Sequence, residues 1–441
     1  MSESIVRDLG DGLVIRRSTA ADTQALVKFN VQIHSEDDWD AKGIEDWVLD
    51  LISGESPNFN TDDFLIVEDT HNGEIISSSC LISQTWSYAG IPFKVGRPEL
   101  FGTKNEFRQR GLVRAQMEIL HQWSAARGEL VQTITGIPFY YRQFGYEMAL
   151  NLHGGRSGFR AHVPNLKEGE AEPYNFRKAM GEDIPFLMAI YNHGCRRSMV
   201  NAVWCKYNWQ NELLNKRQYN TNRREIFIIE NLAGEPVGFL GVPTLKWGDN
   251  SVLTVYELAP GQPWSAVTPS VARFLWKHGE MLAENQDSQQ EKFGFMLGES
   301  HPAYDVIASC LPNIHNVYAF YIRVPDLLAF LQEVTPALET HLTNTPFNNY
   351  TGVVKLGFYT DGIKLVFENG HLDEIERFIP ESSQDTTANF PGLTFLQLLF
   401  GYRNMDELNK AFADCYANKA EYKNLLDVLF PKNYSDIWPI S

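Results

Sequence analysis

The sequence predicts an α+β protein: mixed sheets flanked by helices, arranged as three successive units. Three observations predict it. The first 150 or so residues alternate strand-like and helix-like periodicity in the order β-α-α-β-β-β-α-β-α. The same order restarts further on, with a period of roughly 160 residues, which is a domain-scale duplication rather than a short solenoid repeat. A last region then pairs a hairpin with several helices. The unit boundaries predicted are 1–155, 156–324 and 325–441.

In the first unit, Leu13 to Arg17 alternates as a strand, and Thr19 to Asp22 reads as a cap. Ala25, Leu26, Phe29 and Ile33 follow at helical spacing. Ser35 to Asp40 reads as an acidic bend, and Ile44 to Ile52 as a second helix. Phe64 to Glu68 and Ile75 to Gln84 read as strands around the turn His71-Asn72-Gly73. Pro98 to Thr103 is a further strand. Leu112 to Ala126 carries a helical apolar stripe through Leu112, Ala115, Ile119, Leu120 and Trp123. Leu130 to Thr135 is a strand, Phe139 to Phe144 a short helical turn, and a strand follows Tyr146.

The second unit repeats the scheme. Its strands are Asn175 to Lys178, Glu225 to Glu230, Val237 to Val242, Val252 to Leu258, Phe293 to Met296 and Tyr318 to Arg323. Its helices are Glu182 to His193, Ala266 to Ala283 and Ala303 to Cys310. The third unit reads as a helix over Leu327 to Leu342 and a hairpin of Gly352 to Tyr359 with Ile363 to Glu368 around Thr360-Asp361-Gly362. Gly370 to Arg377 adds a strand. Helices follow over Leu393 to Phe400, Met405 to Tyr416 and Glu421 to Leu429, then a tail to Ser441.

Composition narrows the function classes. At 44% hydrophobic and 21% charged residues, a chain of 441 residues has material for a large core. Its net charge of -17 argues against nucleic acid, whose phosphates need Lys and Arg, and suits cationic substrates. No apolar stretch reaches the length of a membrane span, and Met1 to Gly12 lacks the features of a signal peptide. The five cysteines are far apart and form no metal-ligand spacing, so no metal is expected, and a reducing cytoplasm fits. GxSxG, HExxH and GxxxxGK[ST] are absent.

The segment from Glu99 to Tyr146 carries the chemistry. The run Arg108-Gln109-Arg110-Gly111-Leu112-Val113-Arg114 links a strand to an amphipathic helix. Amides at a helix N-terminus lack intrahelical partners, and the helix dipole favours an anion there. Arg108, Arg110 and Arg114 add charge-assisted donors, and Gly111 gives the backbone freedom to approach a ligand. This is a cradle for a pyrophosphate. A second run follows: Tyr140-Tyr141-Arg142-Gln143-Phe144-Gly145-Tyr146.

The two runs together resemble the GNAT superfamily of acetyltransferases. The resemblance implies that the turn holds the pyrophosphate of acetyl-CoA as co-substrate, through Arg108, Gln109, Arg110, Gly111, Leu112, Val113 and Arg114. It implies that Phe101, Gly102 and Thr103 lie beside the pantetheine arm, with a β-bulge at Gly102 freeing backbone amides. Tyr141 is then the general acid for the thiolate. Val113 departs from the small residue usual at its position. The layout of the whole chain is similar to the enhanced-intracellular-survival (Eis) acetyltransferases: two GNAT units and a sterol-carrier-like domain. RQRGLVRA (Arg108 to Ala115), YRQFGY (Tyr141 to Tyr146) and FLQLLFGYRNMDEL (Phe395 to Leu408) carry that similarity.

In that branch a C-terminal carboxylate takes the amine's proton, which points to Ser441 although Trp438 is followed by three residues. His34, Glu36 and Asp37 are the alternative groups near the amine. The second unit lacks the basic turn, having Glu257-Leu-Ala-Pro-Gly-Gln-Pro-Trp264 instead, and is expected to be catalytically empty. The implied reaction is acyl transfer to a primary amine of a cationic small molecule or a lysine side chain, with a homo-oligomer implied by related enzymes. An apolar-ligand carrier or interaction module built on the third unit is the other reading.

Overall fold

The computed structural model describes residues 5–245, 247–286, 288–435 and 437. The first strands are β1 (Ile5–Gly10) and β2 (Leu13–Arg17), followed by α1 (Thr23–His34), α2 (Asp38–Ile52), β3 (Phe64–Asp69), β4 (Glu74–Tyr88), β5 (Ile91–Thr103), α3 (Leu112–Ala126), β6 (Val131–Ile134) and β7 (Glu147–Leu152). Next come β8 (Gly155–Phe159), β9 (Tyr174–Lys178), α4 (Ile184–Cys195), β10 (Val200–Ala202), α5 (Lys206–Gln210), β11 (Arg224–Asn231), β12 (Pro236–Pro243), β13 (Asn250–Leu253) and β14 (Val255–Leu258). They are followed by α6 (Trp264–Asn285), β15 (Lys292–Phe295), α7 (Pro302–Val306), β16 (Asn313–His315) and β17 (Tyr318–Arg323). The last region holds α8 (Leu327–Glu333), α9 (Thr335–Leu342), β18 (Gly352–Gly357), β19 (Gly362–Glu368), β20 (His371–Phe378), β21 (Ala388–Asn389), α10 (Phe395–Leu399), α11 (Met405–Ala411), β22 (Tyr416–Ala417) and α12 (Ala420–Leu429). The mixed α/β class expected from the sequence is the class observed.

Four sheets organise these elements. The largest runs β1-β2-β3-β4-β5-β6-β17-β7, with β10 added beside the C-terminal end of β4. Strand β17 therefore enters the first sheet from far along the chain and pairs antiparallel to both β6 and β7. Two four-stranded sheets follow, β14-β12-β11-β9 and β13-β15-β8-β16, and a five-stranded one, β20-β19-β18-β21-β22. The turn His153-Gly154-Gly155 takes the chain from β7 in one sheet to β8 in another, with His153 at φ 54° and Gly154 at φ 86°.

Several elements differ from the sequence reading, each for a local reason. The acidic bend expected over Ser35 to Asp40 is confined to its first three residues: α2 starts at Asp38 because the Asp37 carboxylate accepts hydrogen bonds from the amides of Trp39 and Asp40. Strands β4 and β5 are far longer than expected, because Ala89 and Gly90, both at positive φ, form a tight hairpin turn. Helix Leu327 to Leu342 is two helices, the second opening with Pro336 in its first turn. Val252 to Leu258 is two strands in different sheets, parting at Thr254. Ile5 to Gly10 is a strand that the sequence reading passed over, and Met405 to Tyr416 ends as a helix at Ala411.

One buried cluster joins the first sheet to the last region. The rings of Tyr88, Phe93, Phe330 and Phe400 meet edge-on or tilted, with Phe330 5.3 Å from both Phe93 and Phe400. The Tyr88 hydroxyl donates to the carbonyl of Leu399 at 2.7 Å. Trp209 and Trp204 lie in this cluster as core residues, whereas Trp247 is exposed. No helix among the described residues is long and apolar enough to cross a membrane.

Candidate active site

The site is built where β5 and β6 separate. They pair in parallel only at Val95–Val131 and Gly96–Gln132. Beyond that, Ser78 of β4 faces Gly102 and Cys80 faces Glu99, so Leu100 and Phe101 together oppose Ser79. This is a β-bulge, and it bends the strand away from β6. Leu100 holds a left-handed φ of 52° with its side chain buried, a strained backbone that surrounding packing must enforce. The bulge thus sits at Leu100 and Phe101, not at Gly102 as the sequence suggested. Gly102 answers a different need: a Cβ there would lie 2.9 Å from Ile33 Cγ2 and 3.1 Å from Phe29 Cε1, so the glycine lets α1 press onto the sheet.

Below the bulge the chain turns through Lys104 to Gly111 into α3. Gln109 (φ 64°) and Gly111 (φ 77°) are both left-handed, and nothing crowds the missing Cβ of Gly111. The glycine is thus needed for its φ, and the space beside it is open. The first i→i−4 bond of α3 runs from Ala115 N–H to the Gly111 carbonyl, which leaves the amides of Leu112, Val113 and Arg114 outside the ladder. No acidic residue stands in that first turn. Arg108, Arg110 and Arg114 are exposed around it. Arg110 lies over the Phe107 ring, and Arg114 over Phe144 while donating to Gln143 Oε1 at 2.9 Å. The Leu112 side chain faces inward to the core, so only its backbone is presented; Phe101 and Val113 are half-buried and Thr103 is buried.

Tyr141 sits in a 3-10 turn, Tyr140–Phe144, framed by left-handed Phe139 and Gly145. Its side chain is 6% exposed, with edge contacts to Tyr140, Tyr146 and Tyr321. A Cβ on Gly136, just past the end of β6, would lie 3.7 Å from the phenol oxygen. The hydroxyl therefore reaches the open end of the β5/β6 gap, and it makes no hydrogen bond among the described residues. Burial, and then the nearby negative charge of Glu99, raise its pKa, so the phenol keeps its proton at neutral pH.

Glu99 and Arg97 belong to this site, and the sequence reading missed both as functional groups. Arg97 is buried and pairs with the Glu99 carboxylate. Burial raises the Glu99 pKa, and Arg97 opposes that rise. The signal was opposite charges at i and i+2 on one face of an apolar strand, obscured because the predicted strand began at Pro98.

His34, at the end of α1, lies at the bulge, its ring beside the Leu100 backbone. Burial lowers its pKa, so it is neutral. Glu36 is exposed on the following turn, and the Asp37 carboxylate is engaged as the α2 cap. Ser441 lies outside the described residues. The described tail is tied by Met199 N–H to the Tyr434 carbonyl and ends at buried Ile437, which lines a small pocket with Asn151, Leu152, His153 and Arg224.

The second unit shows the same strand parting with its space filled. Strands β13 and β15 pair in parallel as far as Leu253–Phe295, and β14 then leaves for another sheet. Into the gap goes His301, whose Nε2 bonds the Tyr256 carbonyl at 3.0 Å, with the Trp264 ring 5.1 Å away. Tyr304 is buried there, its hydroxyl accepting from Leu297 N–H and donating to the Phe295 carbonyl, each at 3.0 Å. Helix α6 is preceded by Pro263 rather than a basic turn.

Residues 15–149 match the family model of the acetyltransferase (GNAT) domain. No curated protein matches the chain. Among solved structures the fold is similar to a probable N-acyltransferase from Enterococcus faecalis (11% identity, TM-score 0.64, covering 96% of this chain and 97% of that one). It is also similar to a GCN5-related N-acetyltransferase from Anabaena variabilis (13%, 0.64, 96% and 99%) and to Eis1 from Mycobacterium abscessus (13%, 0.58, 96% and 99%). At these identities the structures speak for the fold, which they share almost end to end. Over residues 15–149, then, the chain carries a domain that matches the acetyltransferase (GNAT) family.

Proposed function

We propose that the chain transfers an acetyl group from acetyl-CoA to a primary amine, on a cationic small molecule or a lysine side chain. One observation carries this reading: the gap between β5 and β6 has a donor-rich helix N-terminus at one end and a protonated, buried Tyr141 at the other. The amides of Leu112 to Arg114, with Arg108, Arg110 and Arg114, would hold the pyrophosphate, and Phe101 to Thr103 would line the pantetheine. The amine nitrogen bonds to the thioester carbonyl carbon, and the C–S bond breaks. The departing thiolate takes the Tyr141 proton, and the amine's proton goes to Glu99, the half-buried carboxylate whose charge acts on Tyr141. Neutral His34 lines the amine side of the bulge.

We also read the chain as an Eis-type arrangement, with units 1–155, 156–324 and 325–441, the last sterol-carrier-like. The similarity to Eis1 over nearly the full length supports it. The buried side chains Leu356, Leu365, Leu398 and Phe430 fill the last unit, which favours a structural role for it over carriage of an apolar ligand.

Titration calorimetry with acetyl-CoA, followed by thiol release over a panel of amines, tests the reading. Binding and amine-dependent release are expected; no binding would sink it. The filled gap of the second unit predicts one acetyl-CoA per chain, and a stoichiometry of two in the same titration would refute that part. Sedimentation of the full chain reads the self-assembly that the family resemblance implies.

A further inference from the structure

This inference rests on the proposed acyl transfer and concerns the space behind Glu99. Val95 and Val131 are paired neighbours, so Arg97 and Thr133, two residues on, share a face and are the first residues beyond the last strand pair. That face is the one α1 covers, since Asn30 Nδ2 reaches Ser78 Oγ there, and Ser78, Cys80 and Glu99 follow the same alternation across the bulge. Arg97 is 1% exposed and Thr133 fully buried. Only Nη2 of Arg97 has a partner, Glu99. Among the described residues Arg97 Nε and Nη1, Thr133 Oγ1, and opposite them Asn30 Oδ1 and His34 Nε2, have none.

Buried polar atoms without partners are rare, because each forfeits its hydration. A cluster of them between one helix and two parting strands has the polar lining that holds ordered water. We infer that Arg97 is a positioning residue for Glu99, and that its two free guanidinium nitrogens, with Thr133, hold ordered water in the space behind the carboxylate. The water and the ion pair fix the carboxylate toward the opening, where Tyr141 lies. The groups that interact with Glu99 are Arg97 and Cys80 from the sheet and Tyr141 from the turn, while from α1 His34 sits at the adjoining Leu100 backbone and Asn30 at Ser78. Among the described residues, Arg97 is the only cation acting on it.

The test is a carboxyl-carbon NMR titration of the full chain labelled with 13C-glutamate, the Glu99 signal being assigned by its loss in Glu99→Gln. Arg97→Met is expected to raise the Glu99 midpoint by about one to two pH units, because the opposing charge is gone. Arg97→Lys is expected to restore most of the shift, and Thr133→Val to raise the midpoint by less than Arg97→Met does. The acid limb of kcat/KM should move with the midpoint. An unmoved midpoint in a folded Arg97→Met protein overturns the inference. Should that variant not fold, Thr133→Val decides, and an unmoved midpoint there overturns it. The midpoint needs no turnover. Expected shifts in a protein that acetylates nothing would count against the transferase reading alone, whereas full turnover without shifts would count against this inference alone.

Discussion

Tyr141→Phe is expected to lower kcat by about 10² to 10⁴-fold, the range for losing a positioned general acid. Acetyl-CoA affinity and thermal stability should be unchanged, because the ring's contacts to Tyr140, Tyr146 and Tyr321 need no hydroxyl. The pH profile gives a second reading. The phenol must carry its proton to act, and its pKa is raised, so activity should persist to alkaline pH. Steady-state kinetics across pH, with calorimetry as the binding control, decide the matter. Undiminished turnover would remove Tyr141 from the chemistry and leave the cofactor cradle intact.

Phe330→Ala is expected to destabilise the protein by about 3–5 kcal/mol, through lost burial and the cavity left behind. Phe330 is fully buried and holds Tyr88, Phe93 and Phe400 together where the first sheet meets the last region. A chain of this size need not unfold in one step, so differential scanning calorimetry should show the lowest transition moving down. An unchanged thermogram would mean that the aromatic cluster does not tie the two regions together.

The sequence was most readable where periodicity and local chemistry agree. Helix α3 is observed over Leu112–Ala126, as its apolar stripe predicts, and β2 and β17 over the predicted residues. What a six-residue strand such as β17 cannot announce is its neighbours, since the sheet it joins is chosen by packing. Strand Ile91–Thr103 was half hidden because its turn, Ala89-Gly90, lacks the usual Asn-Gly or Asp-Gly signature. The basic turn from Arg108 to Arg114 was legible as a contiguous run at a helix start. Glu99 was not, because its raised pKa and its proximity to Tyr141 arise only from burial and from a turn more than forty positions away in the chain. The bulge was expected at the glycine, but packing against α1 uses Gly102 and leaves the strained conformation to Leu100.

The placement of β17 between β6 and β7 has a consequence for biosynthesis. Until Tyr318–Arg323 leaves the ribosome, β6 and β7 each lack a neighbour, and the sheet that frames the site has open edges. At about 5–20 residues per second, translation from Leu152 to Tyr318 takes on the order of ten seconds or more. Through that interval the nascent N-terminal half presents unpaired strands to chaperones and to neighbouring chains. Fragments that stop short of residue 323 should inherit the same exposed edges as a permanent condition.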